Sequence, residues 1–240
     1  MTQVLTTEEL SAIGAPLGSP RRAGLIGEIG TIFQPGRLAL FAPRLRRAPR
    51  GDGRISVFFP GWKAPDATTL PMRGYLRTLG HDVRGWGLGT NQGAVEALRD
   101  TMIPKITDLA ESSGRPVNVV GWSLGGLIAR EVARNVPDSV HRVVTYGTPV
   151  LGGPRFTAGA FTYADEEIDR IQELQEHLDT NEPITVPITA IFTRKDSVVD
   201  WRACIDRTSL DVTTFEVGST HVGLGIDPDV WLAAANALAE

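Results

Sequence analysis

At 240 residues, with 42% hydrophobic and 22% charged side chains, the chain has the make-up of an ordinary globular protein and not of a disordered one. A formal net charge of −4 gives no electrostatic reason for nucleic acid as a partner, and no apolar run approaches the ~20 residues that cross a bilayer. One cysteine, Cys204, excludes an intramolecular disulfide and a zinc site built from thiolates.

The opening residues, MTQVLTTEELSAIGAPLG, lack a basic start followed by an apolar core, so no secretory signal is read there and a cytoplasmic protein is expected. Within them TTEELSAIG, with threonines ahead of acids, predicts a short helix. In GLIGEIGTIF, Leu25, Ile29 and Ile32 recur at helical spacing beside Ile26 and Phe33. Residues 37–54 then carry six arginines against one acid, Asp52. An amphipathic segment next to a basic run could touch an anionic membrane surface. This apolar stripe is short and broken by glycines, however. Residues 1–54 are therefore read as a helical extension packed on the main domain, with a solvated Arg-rich connector and no stable membrane insertion.

From residue 55 onward the pattern is regular. ISVFFPG predicts a buried strand, TTLPMRGYLRTLG a helix with a stop glycine, and HDVRGWG a weaker strand. NQGAVEALRDTMIPKITDLAESSG predicts a longer helical stretch, interrupted at Pro104 and with Asn91 as its cap. VNVVG, VHRVVTYG, ITAIFT and VTTFEVG follow as strands, with SLGGLIAREVARNV as the helix after the first of them. DPDVWLAAANALA closes the chain as a helix capped by Asp227. Alternation of this kind predicts an α/β fold: a mostly parallel central sheet with helices on both faces, over residues 55–240. Residues 150–186 hold no convincing strand but contain the charged helix DEEIDRIQELQEHLD, read as a small helical cap over a site at the strand ends.

The stretch VVGWSLGG places Ser123 between Gly121 and Gly125, with Trp122 beside it, after an apolar strand and before an amphipathic helix. A nucleophile in such a turn needs a strained backbone and small neighbours, and the next helix aims its N-terminus at developing negative charge. The competing reading is a Gly-rich connection whose serine merely caps the helix. Serine requires a histidine base held by a carboxylate, and in this architecture both follow it, each after a strand and the acid first. His81 and His141 stand at strand beginnings as solvated connectors, and His177 lies in the charged helix, which leaves His221. Asp196 is preferred over Asp200 because it follows its strand more closely. The N–H groups of Leu124 and Trp62 are the expected oxyanion donors. Trp86 and Trp201 stand near strand ends, where lining of a ligand site competes with core packing. GWGLGTNQG follows a later strand and is not read as a nucleotide fingerprint.

Taken in order, FFPGW, GWSLGG, FTRKDSVV and GSTHVGLG resemble the α/β-hydrolase superfamily, and within it the small bacterial serine esterases and lipases. TYGTPVLGG is similar to a lipase segment of the same kind, although Pro60-Gly61 stands where many relatives carry His-Gly. The resemblance covers about residues 55–240 and implies the α/β-hydrolase fold and a Ser123–His221–Asp196 triad. It also implies hydrolysis of a small-molecule carboxylic ester through an acyl-enzyme, with no metal and no organic cofactor. A thioesterase or acyltransferase would carry the same triad, and a binding protein on the same fold would not require it. Oligomeric state is not legible.

Overall fold

A computed structural model describes residues 3–16, 18, 28, 31 and 34–240 of the chain. Its apolar runs form the sheet. Strands β2 (Ile55–Phe59), β4 (Val117–Trp122), β5 (Val140–Tyr146) and β6 (Ile188–Phe192) are buried almost throughout, as strands covered on both faces must be. β3 (Asp82–Gly85) and β7 (Val212–Glu216) flank them with fewer buried residues, and β1 (Gln3–Val4) adds an antiparallel edge to β7. The order is β1-β7-β6-β5-β4-β2-β3, with every pairing beyond β1 parallel. β1 goes unread in the sequence because two residues show no periodicity.

Helices are α1 (Thr7–Ala12), α2 (Gln34–Leu45), α3 (Leu70–Thr78), α4 (Val95–Ser113), α5 (Leu124–Asn135), α6 (Asp165–Asn181) and α7 (Pro228–Ala237). Successive strand residues point to opposite faces. Phe58, Val120 and Val144 pack with Met72 and Leu76 of α3 and with Val230 of α7. Their neighbours Val57, Val119 and Val143 pack with Met102 and Ile106 of α4 and Ile128 of α5. No helix among the described residues is long and apolar enough to cross a membrane.

Local signals explain the helix starts. Thr6 accepts the Glu9 N–H at 3.2 Å while the Glu9 carboxylate accepts the Thr6 N–H at 2.8 Å, a reciprocal cap for α1. Asp227 caps α7 through the N–H groups of Asp229 and Val230.

Two sequence expectations change, and a third is untested. Leu25, Ile26, Ile29, Ile32 and Phe33 lie outside the described residues. Part of the predicted Arg-rich connector is helical, since α2 takes in Arg37 and Arg44 and turns Leu38, Phe41 and Leu45 toward the α3/α7 core. α4 runs through Pro104 without a break, because Met102 and Ile106 on either side are anchored in the opposite core.

The cap helix α6 is tied down by charge. Arg134 of α5 donates to the Leu178 carbonyl at 3.1 Å and the Asp179 carboxylate at 2.6 Å. One turn earlier, buried Arg130 is bonded to the buried carboxylate of Asp206, which also accepts the Thr208 and Ser209 N–H groups at 3.1 Å. Burial alone would raise the Asp206 carboxyl, but Arg130 and these donors outweigh it and hold it below the usual range. A depressed folded value means stability present above the unfolded value and lost as pH falls through the folded one. Asp206→Asn is therefore expected to cost about 3–5 kcal/mol at pH 7, as for other broken buried pairs. The deficit should shrink below about pH 4, where the unfolded wild-type aspartate takes up its proton. Urea denaturation of both proteins at pH 7 and pH 3 checks this, and an equal deficit at both would contradict it.

Candidate active site

Between the end of β4 and the start of α5 the chain reverses within one residue, Ser123, whose backbone sits at φ 52° and ψ −124°. Such a conformation costs of order 1–3 kcal/mol for a residue with a Cβ and persists only where its surroundings impose it. The glycines allow the reversal. A Cβ on Gly121 would stand 2.4 Å from the Gly126 Cα, and one on Gly125 would stand 2.3 Å from the Phe59 carbonyl oxygen. Among the described residues, Lys63 is the other non-glycine at positive φ, and it lies in the turn after β2 that faces the serine. Strain thus collects on the two turns that meet here.

The Ser123 side chain makes no capping bond to α5, so the helix-cap reading fails. Its Oγ instead lies 3.1 Å from His221 Nε2. Across the ring, His221 Nδ1 is 2.7 Å from Asp196 Oδ2. The other oxygen, Asp196 Oδ1, accepts the N–H groups of Val198 at 2.9 Å and Val199 at 2.7 Å. The Asp196 side chain is wholly shielded and that of His221 nearly so, which favours strong polar contacts between them. Asp196 follows β6 and His221 follows β7, so both loops leave the same edge of the sheet as the serine turn. Thr193 Oγ1 donates to the Ser219 carbonyl at 2.7 Å and bridges the two loops.

Asp200 is elsewhere: it caps the short helical turn Trp201–Cys204 through the Arg202 N–H. His81 is buried, not the solvated connector expected, with the backbone of Gly51 packed against it. Trp122 backs the imidazole, since its indole N–H donates to the His221 carbonyl at 3.3 Å and the two rings lie 5.7 Å apart.

Trp62 follows β2 and its indole borders the space above Ser123. Among the described residues neither the Trp62 nor the Leu124 N–H has a backbone acceptor. Asn91 organises this turn. Fully buried, it donates to the Pro60 carbonyl at 2.8 Å, and its backbone carbonyl accepts the Lys63 N–H at 2.8 Å. It does not cap α4, as its sequence position predicts. No local pattern distinguishes an asparagine that braces a turn about 30 residues away.

A cavity of about 240 Å³ opens on Ser123, bordered by Trp62, Trp122, Leu127, Tyr163, Val199 and His221. A second cavity of about 320 Å³ shares Leu124, Leu127, Gly153, Pro154 and Tyr163 with it and runs beneath α6 along Ile171, Leu174 and Leu178. Trp86 and Trp201 border neither, contrary to their candidacy as lining residues. Trp86 is fully buried in the α4 side of the core, its indole N–H donating to the Gly89 carbonyl. Trp201 stacks on Phe192 at 5.5 Å, with the Arg194 and Arg202 guanidinium groups over its ring.

The model of the alpha/beta hydrolase family matches residues 57–236. Over 112 residues, 45% of this chain and 40% of the relative, the sequence is 31% identical to the pimeloyl-[acyl-carrier protein] methyl ester esterase of Aliivibrio salmonicida (strain LFI1238). The chain thus spans less than half the length of the curated relatives it matches. The solved structure of alpha/beta hydrolase domain-containing protein 10 from mouse matches with a TM-score of 0.56 at 18% identity, covering 77% of this chain and 88% of that one. Lipase B of Aspergillus fumigatus matches with a TM-score of 0.58 at 19% identity, covering 78% and 53%. These structural likenesses place the fold.

Proposed function

The chain belongs to the alpha/beta hydrolase family, and on that premise we propose that it is a serine hydrolase that cleaves carboxylic esters through an acyl-enzyme. The observation that carries this reading is the continuous chain from Ser123 Oγ to His221 to Asp196, on a serine whose backbone is strained outward. Ser123 Oγ attacks the ester carbonyl as His221 Nε2 takes its proton. Asp196 holds the Nδ1–H tautomer and offsets the charge that forms on the imidazole. The N–H groups of Trp62 and Leu124 receive the oxyanion, in a setting where one such donor is worth about 10²–10³ in rate. His221 returns the proton to the leaving alcohol, and water hydrolyses the acyl-enzyme by the same route.

The substrate class follows from the space beside the serine. The two cavities share lining residues, are largely apolar and extend from beside Ser123 to beneath the cap helix, which suits an acyl chain with its carbonyl at the serine. That the curated relatives are pimeloyl-[acyl-carrier protein] methyl ester esterases is consistent with an acyl ester.

Labelling with a fluorophosphonate, mapped by peptide mass, is expected to place one adduct on Ser123. A panel of p-nitrophenyl esters and matched thioesters, from acetyl to dodecanoyl, should show turnover with a preference for chains long enough to enter the space under α6. Absence of both adduct and turnover would sink the reading, and selective thioester turnover would move it to a thioesterase.

A further inference from the structure

The histidine loop is fastened from a part of the chain that the family match does not include. Residues 28, 31, 34 and 37 precede the matched segment, and they meet the loop at successive positions in reverse order. Glu28 reaches His221 and Val222, and Thr31 Oγ1 lies 2.9 Å from Thr220 Oγ1. Gln34 Nε2 donates to Ser219 Oγ at 3.0 Å, and Arg37 donates to the Gly218 carbonyl at 3.4 Å. Arg37 also pairs with Asp227 and Asp229 at the start of α7, which anchors the far end.

Glu28 does more than the other three. Its Oε1 accepts the His221 N–H at 3.2 Å and its Oε2 accepts the Val222 N–H at 2.8 Å. The Ser197 hydroxyl donates to the same carboxylate, and Ser197 is the residue next to Asp196. One carboxylate therefore ties the loop that carries the histidine to the loop that carries the acid. Burial alone would raise the Glu28 carboxyl, but the donors from Ser197, Val222 and Thr220 outweigh it and hold it below the usual range. It is thus ionised at neutral pH and able to accept at both oxygens.

We propose that Glu28 is a positioning residue: by accepting the His221 and Val222 N–H groups and the Ser197 hydroxyl, it sets the register of the histidine loop against the acid loop. This rests on the reading of Ser123, His221 and Asp196 as the reacting set. Displacing a catalytic group by about 1 Å can cost on the order of 10² in rate, so a tether on the backbone of His221 acts on kcat. Glu28 itself borders neither cavity, so its main effect is expected on kcat and not on KM.

The substitutions that separate positioning from bulk packing are Glu28→Asp, Glu28→Gln and Glu28→Ala, compared with wild type on one p-nitrophenyl ester. Glutamine matches the size of glutamate but has one acceptor oxygen, and its amide would turn a donor toward another donor. Aspartate is one methylene shorter yet keeps two acceptors. Expected is a 10- to 100-fold loss of kcat in the Gln and Ala variants with KM within about twofold, and partial recovery in the Asp variant. Fluorophosphonate labelling of Ser123 should slow in the same order. Wild-type kcat in both the Gln and Ala variants overturns the proposal, as does a loss confined to KM. A fall in kcat of less than about tenfold in Ser123→Ala overturns instead the reading of the serine, so the two failures are told apart.

Discussion

Replacing Ser123 with alanine is expected to lower kcat on p-nitrophenyl esters about 10⁶-fold, with the fold and the thermal midpoint little changed. Alanine keeps the Cβ that already occupies the strained turn, so the backbone at φ 52° meets no new clash. What disappears is the oxygen 3.1 Å from His221 Nε2. The imidazole is left with no proton to take, while the N–H groups of Trp62 and Leu124, which have no backbone acceptor among the described residues, are untouched. They and the apolar cavity should sustain a residual rate of roughly 10³-fold over water. Steady-state kinetics and loss of fluorophosphonate labelling measure both parts, and a decrease of less than about tenfold would rule out Ser123 as nucleophile.

Asp196→Asn comes next, with an expected loss of about 10⁴ in kcat at neutral pH. Local geometry gives the reason. Oδ1 of Asp196 is held by two N–H donors, from Val198 and Val199, so an asparagine must place its carbonyl oxygen there. Its NH₂ then faces His221 Nδ1, the atom 2.7 Å from Oδ2 in the native protein. A donor at that place requires Nδ1 to accept, which puts the ring proton on Nε2, facing Ser123. The base is then already protonated on its working face and cannot take the serine proton. Nitrogen NMR of the imidazole distinguishes the two tautomers independently of rate. A variant that keeps the Nδ1–H tautomer and near-native kcat would exclude this role for Asp196.

Much of the architecture was legible from residue order alone. Buried strands such as ISVFF and VNVVGW carry their apolar character in short continuous runs, and Asp227 before Pro228 marks the start of α7 through local chemistry. Ser123, Asp196 and His221 were singled out in the same way, because each follows a strand and the strands are readable. Local signals failed where a distant partner decides. Arginines at 37 and 44 read as a solvated connector, yet α2 forms because Leu38, Phe41 and Leu45 find the α3/α7 core. Trp86 sits near a strand end like a ligand-lining residue, but the packing of α4 claims it for the core.

By itself, then, the sequence determined the main strands and helices from residue 55 onward, their order, and that Ser123, Asp196 and His221 follow β4, β6 and β7. Those properties depend on short-range periodicity, turn residues and burial preference, all written locally. Only the tertiary structure decided that Asn91 braces the turn after β2, that Trp122 backs the imidazole, and that Glu28 reaches the histidine loop from 193 residues away. Hydrogen bonds at such separations exist because the sheet brings strand ends to one edge, and nothing in the residues on either side of them encodes the partner.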